Sequence, residues 1–186
     1  MVGHDNFVRH NPLSDKFHTG KFHHMEFWTS DATNTSRRFT WGLGLQQVAK
    51  SDLSTGNKLC SSVVTKSNDV VLIFTAPYSN PNDQADSVCP IPDYQQPRAH
   101  KFISEHGLAV RAVGITCNCA KTAYEVAVAN GAVGVLTPTT LVDKETGKTL
   151  VMSEIQLFGD GVIRWMSGDY DGAFLPNFTK MEGPDF

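Results

Sequence analysis

The chain has 186 residues, a formal net charge of −3, 40% hydrophobic residues and 19% charged residues. This length suits one large domain or two small modules, with a core that needs neither disulfides nor a structural metal. The composition is that of a globular protein and excludes a disordered chain or a coiled coil. The sequence has no basic cluster of the nucleic-acid-binding kind and no apolar run of the roughly 18 residues that a membrane helix needs. We therefore expect no nucleic-acid partner and no membrane partner.

Residues 1–20 are polar and are predicted to form an N-terminal arm. They contain no apolar segment of the secretory type, which argues against a signal peptide. The arm's histidines are expected to be solvated: His4, His10 and His18. The cysteines match no zinc or redox spacing and are expected to be free thiols in a reducing, intracellular compartment: Cys60, Cys89, Cys117 and Cys119.

The first predicted module covers residues 21–76. It begins with a strand over residues 21–29. Bulky side chains occur at both its odd and its even positions, so this strand is expected to be buried on both faces. A helix follows from Ala32 to about Trp41, with Ser30 or Asp31 as its N-cap and a glycine-rich end at residues 42–44. Turn-forming residues then separate three predicted strands, at residues 46–51, 59–65 and 70–75.

Residues 77–107 are rich in proline and are predicted to be a linker with a short helix, begun by a capping box of Asp93 and Gln96 and ended by Gly107. The second module, residues 108–168, starts with a strand over residues 108–117. An amphipathic helix follows, because apolar residues recur at helical spacing from Ala120 to Val128. Three more strands are predicted at residues 133–136, 150–158 and 162–167. Residues 169–186 are predicted to form an irregular C-terminal tail.

The order of elements is the same in the two modules. Laying Ala32 on Ala120 superposes the two helices with an offset of 120 − 32 = 88 residues. We predict an α+β fold in which two βαβββ modules form a curved, incompletely closed mixed sheet with the helices outside. This architecture resembles the vicinal oxygen chelate, or glyoxalase-like, fold, and element order alone leaves other α+β folds open.

Candidate metal ligands lie on the first predicted strand: His23, His24 and Glu26. A non-haem Fe(II) site needs two histidines and one carboxylate on one face of the protein. At the offset of 88 residues the two histidines superpose on Arg111 and Ala112, neither of which is a usual metal ligand.

The last predicted strand offers no better ligand set. It has Arg164 and Trp165 where a carboxylate would be needed, and Asp160 falls at its turn. We therefore predict no catalytic, cofactor-binding or metal-binding residue in this chain, with His24 as a vestigial metal position at most. Two further groups are expected to have structural roles only: the thiols of residues 117–119 and the Arg37-Arg38 pair, as a solvated face or a subunit contact.

Six segments carry a family resemblance: residues 11–57, LIFTAPYS at 72–79, SEHGLAVRAVGI at 104–115, VANGA at 128–132, EIQLFGDGVIRWMS at 154–167 and FLPNF at 174–178. They closely resemble plant-type 4-hydroxyphenylpyruvate dioxygenases, and the stretch from residue 21 to residue 57 is specific to that family. Members of the family have two halves, each of two βαβββ modules. The resemblance implies that this chain is the first, non-catalytic half.

The same resemblance implies that the Fe(II) ligands lie in a second half that this chain lacks, so no cofactor is expected in this chain. The whole enzyme would convert 4-hydroxyphenylpyruvate and O2 to homogentisate and CO2, in tyrosine catabolism and in the supply of plastoquinone and tocopherol precursors. The resemblance thus implies that the chain belongs to an enzyme family, but the chain alone is expected to be inactive. The implied location is the cytoplasm, or the plastid if a transit peptide precedes the chain.

Two other functions stay open: a stand-alone ligand-binding or partner-binding protein of the same fold, and a metal site completed by His24 from each of two subunits. The expected partners are the missing catalytic half and, in its absence, a second copy of the chain. The tail has apolar residues without an evident partner in the modules and is expected to dock on a neighbour or on its own domain: Phe174, Leu175, Phe178 and Phe186.

Overall fold

The computed structural model describes residues 16–79 and 86–181. The strands within these ranges are β1 (Thr19–Trp28), β2 (Gln46–Ser51), β3 (Cys60–Ser67), β4 (Val70–Pro77), β5 (Ala109–Cys117), β6 (Gly134–Val142), β7 (Thr149–Phe158), β8 (Gly161–Gly168) and β9 (Thr179–Lys180). The helices are α1 (Ala32–Leu43), α2 (Gln96–His106) and α3 (Ala120–Ala129). None of the helices in the described ranges is both long and apolar enough to cross a membrane.

The strands form one mixed sheet in the order β6-β7-β8-β5-β1-β4-β3-β2-β9. Apart from β9, this order consists of two copies of the same arrangement. In the first module β1 pairs in parallel with β4, and in the second module β5 pairs in parallel with β8. The two modules join where β1 and β5 run antiparallel, with Met25 opposite Val113. The helices begin at Ala32 and Ala120, so the predicted offset and the predicted fold class are confirmed.

Local signals in the sequence explain where α1 begins and ends. The side chain of Asp31 accepts a hydrogen bond of 2.9 Å from the backbone N–H of Asn34, which satisfies one of the free donors at the helix start. The helix ends at Gly44, whose φ of 73° lies in the left-handed region that favours glycine. Both signals were predicted, and the helix extends two residues beyond Trp41.

The helices α1 and α3 cover the same face of the sheet, which we call the outer face. Under α1, Phe74 and Leu72 of β4 pack with Ala32 and Phe39. Under α3, alanines at helical spacing contact Trp165 and Ile155: Ala120, Ala123 and Ala127. These small residues allow the helix to lie close to the strands, and the apolar burial stabilises each module separately.

The linker helix α2 lies on the opposite, inner face of the sheet. Ala99 and Phe102 of α2, with Tyr94 before it, pack in the main core against Trp28. The predicted capping box is wrong, because α2 has Gln95 at its N-cap position without a side-chain hydrogen bond.

The C-terminal tail also packs on the inner face. Its residues Phe174, Leu175 and Phe178 belong to the main core cluster, and Leu175 has no exposed surface. The short strand β9 then pairs with β2, with Lys180 opposite Ala49. The tail was expected to dock either on a neighbour or on its own domain. In the structure it docks on its own domain. Phe186 lies outside the described residues.

Two further sequence predictions differ from the structure. The strand predicted at residues 133–136 is β6, which continues to Val142 through irregular pairing with β7 near Pro138. The strand β1 is not buried on both faces, because its first residues are exposed and burial alternates from His24 to Trp28.

Candidate functional site

The alternation along β1 determines which side chains enter the protein. His24, Glu26 and Trp28 are buried on the inner face, whereas Met25 is partly exposed on the outer face and Phe27 packs there beside Phe74. The polar residues His24 and Glu26 therefore lie inside the protein, which is the reverse of a common amphipathic strand. Such buried polar groups need partners, because burial without a hydrogen bond is costly.

Arg164 of β8 is the central partner and is completely enclosed. Its guanidinium donates 2.7 Å hydrogen bonds to Glu154 Oε1 and to Glu26 Oε2. A third contact joins its NH1 to His24 Nε2 at 3.0 Å. We call these four residues, together with Arg111, the buried ion cluster. The two carboxylates raise the pKa of Arg164 above its usual range, although burial acts in the opposite direction.

Arg111 of β5 completes the charge balance of the cluster. Its NH2 lies 3.8 Å from Glu154 Oε2, and its guanidinium lies over the ring of Trp28 at 4.9 Å from the centroid. The formal charges of the two arginines and two carboxylates then cancel. Glu26 Oε1 also accepts hydrogen bonds from Trp28 Nε1 at 3.1 Å and from Thr75 Oγ1 at 2.9 Å.

The two histidines at the edge of the cluster have defined tautomers. Because a guanidinium can only donate, His24 Nε2 must be the acceptor of the contact with Arg164, and the ring proton is then on Nδ1. His24 Nδ1 lies 2.8 Å from His23 Nδ1, so it donates to that atom. Burial, followed by the charge of Arg164, lowers the pKa of both rings, that of His23 to about 4. Both histidines are thus held neutral.

This arrangement does not fit a resident metal ion. The one lone pair of neutral His24 is already used by Arg164, and both carboxylates of the cluster are paired with arginines. At the positions that superpose on the histidines, Arg111 brings a positive charge and Ala112 has no ligand atom. The backbone of β5 also approaches the His24 ring closely at Gly114, where a Cβ would lie 2.6 Å from His24 Nδ1.

The other residues singled out in the sequence lie apart from the cluster. Trp165 faces the outer side under α3, and Asp160 is exposed at the turn between β7 and β8, as predicted for it. Arg37 and Arg38 are exposed on α1. The cysteines at described positions are free thiols: Cys60, Cys89, Cys117 and Cys119. His18 directly precedes β1, whereas His4 and His10 lie outside the described residues.

Two features were missed in the sequence. Glu154 was assigned no role, although it is the one charged residue of a largely apolar strand and such a carboxylate is a signal for a buried partner. A second group lies at the surface, where Glu105, His106 and Asp160 come together as possible metal ligands. There His106 Nε2 is 2.9 Å from Asp160 Oδ2, and Glu105 is paired with Lys101 at 2.9 Å, so these groups already have protein partners.

Comparison with known proteins identifies relatives along nearly the whole chain. A 4-hydroxyphenylpyruvate dioxygenase from Plectranthus scutellarioides is 50% identical over 180 residues, which is 96% of this chain and 40% of that protein. The 4-hydroxyphenylpyruvate dioxygenase from Arabidopsis thaliana is 43% identical over 191 residues, which is 98% of this chain and 42% of that protein. The chain therefore spans about two fifths of the length of the curated relatives it matches. No protein-family model matches it.

Solved structures with low sequence identity share the fold. A mutant 4-hydroxymandelate synthase from Streptomyces coelicolor superposes with a TM-score of 0.66 at 19% identity, over 88% of this chain and 42% of that one. Methylmalonyl-CoA epimerase from Mycobacterium tuberculosis gives a TM-score of 0.55 at 12% identity, over 83% of this chain and 92% of the other. Nearly the whole chain is therefore similar to about two fifths of the 4-hydroxyphenylpyruvate dioxygenases that it matches, and it has the vicinal oxygen chelate fold.

Proposed function

We propose that this chain is the N-terminal, structural half of a 4-hydroxyphenylpyruvate dioxygenase and is inactive by itself. The buried ion cluster carries this proposal, because the side chains that could hold a metal on the inner face are engaged by Arg164 and Arg111. The chain covers 40% of the length of a curated relative, which supports the same conclusion. In this proposal a second half of the enzyme supplies the ligands of Fe(II).

The whole enzyme would convert 4-hydroxyphenylpyruvate and O2 to homogentisate and CO2, as a step of tyrosine catabolism in the plant cytoplasm or plastid. The identity to relatives that carry this enzyme name supports the assignment. The alternative of a metal site shared by two His24 residues has less support, because His24 is enclosed and its free lone pair accepts from Arg164. Ligand binding at the centre of the inner face also has less support, because α2 and the tail pack there.

The isolated chain is expected to form no homogentisate above a no-protein control when it is supplied with 4-hydroxyphenylpyruvate, O2, Fe(II) and ascorbate. The physical reason is that the buried ion cluster offers no free ligand set for the metal. Homogentisate is measured by chromatography, with the full-length relative from Plectranthus scutellarioides as the positive control. Turnover by the chain that a chelator abolishes would contradict the proposal.

We further propose that the second half packs on the outer face between α1 and α3. Met25 of β1 and Val110 of β5 are each 39% exposed there, at the middle of the sheet where the two modules join. Apolar side chains exposed together on a sheet face commonly mark an interaction surface. We call these two residues with their surroundings the outer seam.

Without the second half, the outer seam is expected to pair with a second copy of the chain, since two-fold dimers bury the same patch on both partners. Size-exclusion chromatography with light scattering should give a mass above that of the monomer. The double variant Met25→Lys/Val110→Lys should return the mass to that of the monomer. The control Leu53→Lys, at a position 64% exposed between β2 and β3, should leave it unchanged. A wild-type chain that stays monomeric at high concentration would contradict this proposal.

A further inference from the structure

A cleft of about 240 Å³ opens between α2 and the end of the sheet where β7 turns into β8. Three basic side chains line it, Arg98 and Lys101 from α2 and Arg111 from β5. The aromatic side chains of Trp28 and Phe102 line the same cleft. Cationic groups from two separate elements therefore converge on one concave surface that has room for a small molecule.

The formal charge of Arg111 is balanced within the buried ion cluster, but its contact with a carboxylate there is a long one. The guanidinium is buried, its NH1 donates to the backbone oxygen of Asp160 at 2.8 Å, and its nearest carboxylate oxygen, on Glu154, is 3.8 Å away. Burial lowers the pKa of Arg111, and the charges of Arg98 and Arg164 lower it further, whereas Glu154 and Glu26 act against the decrease. An anion in the cleft would favour the charged form of Arg111, which burial disfavours.

Arg98 has a hydrogen-bond donor left unused. Its Nε is buried and has no hydrogen-bond partner within residues 16–79 and 86–181. Its NH2 donates to the backbone oxygen of Asp93 at 2.9 Å, while its NH1 is 3.6 Å from the Asp93 carboxylate. Because Nε has almost no accessible surface, a ligand in the cleft would meet the rest of the guanidinium, in a side chain that is 37% exposed.

The carboxylates near the cleft each have a protein partner. Lys101 shares its charge with Glu105 at 2.9 Å, but that pair is exposed, and exposed pairs hold their partners weakly. Asp160 lines the cleft, and its carboxylate Oδ2 lies 2.9 Å from His106 Nε2. Three basic side chains thus line the cleft beside one lining carboxylate, and each of the three has a further carboxylate neighbour, Asp93 at 3.6 Å, Glu105 at 2.9 Å or Glu154 at 3.8 Å.

We propose that this cleft is a binding site for a small multivalent oxyanion, either a phosphate compound or a polycarboxylate. The anion would be held by Arg98 and Lys101 on one side and by Arg111 on the other, so it would bridge the linker helix and the second module. Charge-assisted hydrogen bonds from several cations are the ordinary means by which proteins hold such groups. This site shares Arg111 with the buried ion cluster and goes beyond the proposed structural role.

Isothermal titration of the 186-residue chain with pyrophosphate and with citrate, at constant ionic strength set by sodium chloride, tests the proposal. We expect saturable one-to-one binding of at least one of the two anions and a raised melting temperature in its presence, because a ligand that binds only the folded state stabilises it. Tighter binding of pyrophosphate would assign the site to phosphate compounds, and tighter binding of citrate would assign it to polycarboxylates.

The double variant Arg98→Gln/Lys101→Gln should weaken binding by about tenfold or more, as expected for the loss of charge-assisted contacts. The single variant Lys101→Gln, which changes only an exposed side chain, should weaken it to a smaller extent. Lys121→Gln is the matched control, because Lys121 and Glu125 form the same i,i+4 pair on α3 as Lys101 and Glu105 form on α2. Absence of saturable binding by both anions, or equal weakening in the control, would overturn the proposal.

Discussion

Replacement of Arg164 by glutamine is expected to lower the free energy of unfolding by about 3–5 kcal/mol, the usual cost of breaking a buried ion pair from one side. The variant leaves the carboxylates of Glu26 and Glu154 enclosed without their main partner. Arg111 would then be the one remaining cation of the buried ion cluster. Urea unfolding followed by circular dichroism measures the change, and Arg37→Gln on the exposed face of α1 is the control, with an expected effect within about 0.5 kcal/mol.

A second variant separates charge imbalance from lost packing. In Arg164→Gln/Glu26→Gln the remaining Arg111 and Glu154 balance each other, so we expect the double variant to be more stable than Arg164→Gln alone. That non-additivity would show that the uncompensated carboxylate is the cause. A loss below about 1 kcal/mol for Arg164→Gln, the size of an exposed ion pair, would contradict the central role of Arg164 in the buried ion cluster.

Acidification from pH 6.5 to pH 4 is expected to remove about 3 kcal/mol of stability through His23 alone, because each unit of pKa shift corresponds to about 1.4 kcal/mol. The pKa of His23 is lowered to about 4 in the folded chain, from 6.5 in the unfolded chain. In this interval the unfolded chain binds the proton and the folded chain does not. The stabilisation is therefore complete above pH 6.5 and is lost as the pH falls towards 4.

His24 acts in the same direction, because its pKa is also lowered by burial and by Arg164. The free energy of unfolding should be measured by urea titration at several pH values. His23→Gln should flatten the dependence between pH 6.5 and 4, since an amide does not titrate there. His100→Gln, a replacement of an exposed histidine on α2, should retain the slope of the wild type. An unchanged slope in His23→Gln would contradict the neutral, hydrogen-bonded histidine pair.

Local signals made much of the fold predictable. The cap at Asp31, the left-handed Gly44 and the small residues at helical spacing in α3 are each determined within a few residues of sequence. The hairpin of β7 and β8 also follows from a local turn, and its register places Glu154 directly opposite Arg164. That pair was therefore accessible from the sequence, given the position of the turn.

The rest of the buried ion cluster depends on contacts between distant parts of the chain. Glu26 meets Arg164 across 138 residues, and only the sheet order brings β1 beside β5 and β5 beside β8. The sequence of β1 was also misleading, because its apolar Met25 and Phe27 face outwards and its polar residues face inwards. The docking of α2 and the tail on the inner face likewise has no local signal, since each fills space created by both modules.

The edges of the sheet bear on how the protein behaves at high concentration or when freshly synthesised. A free edge strand can recruit a strand from another molecule and start a fibrous aggregate. One edge is β9, which is two residues long and offers little length for recruitment. The other is β6, where Pro138 lacks a donor and the pairing with β7 is interrupted between Leu136 and Thr139. Both edges are therefore poor templates, and the tail protects solubility by covering β2 as well as by filling the core.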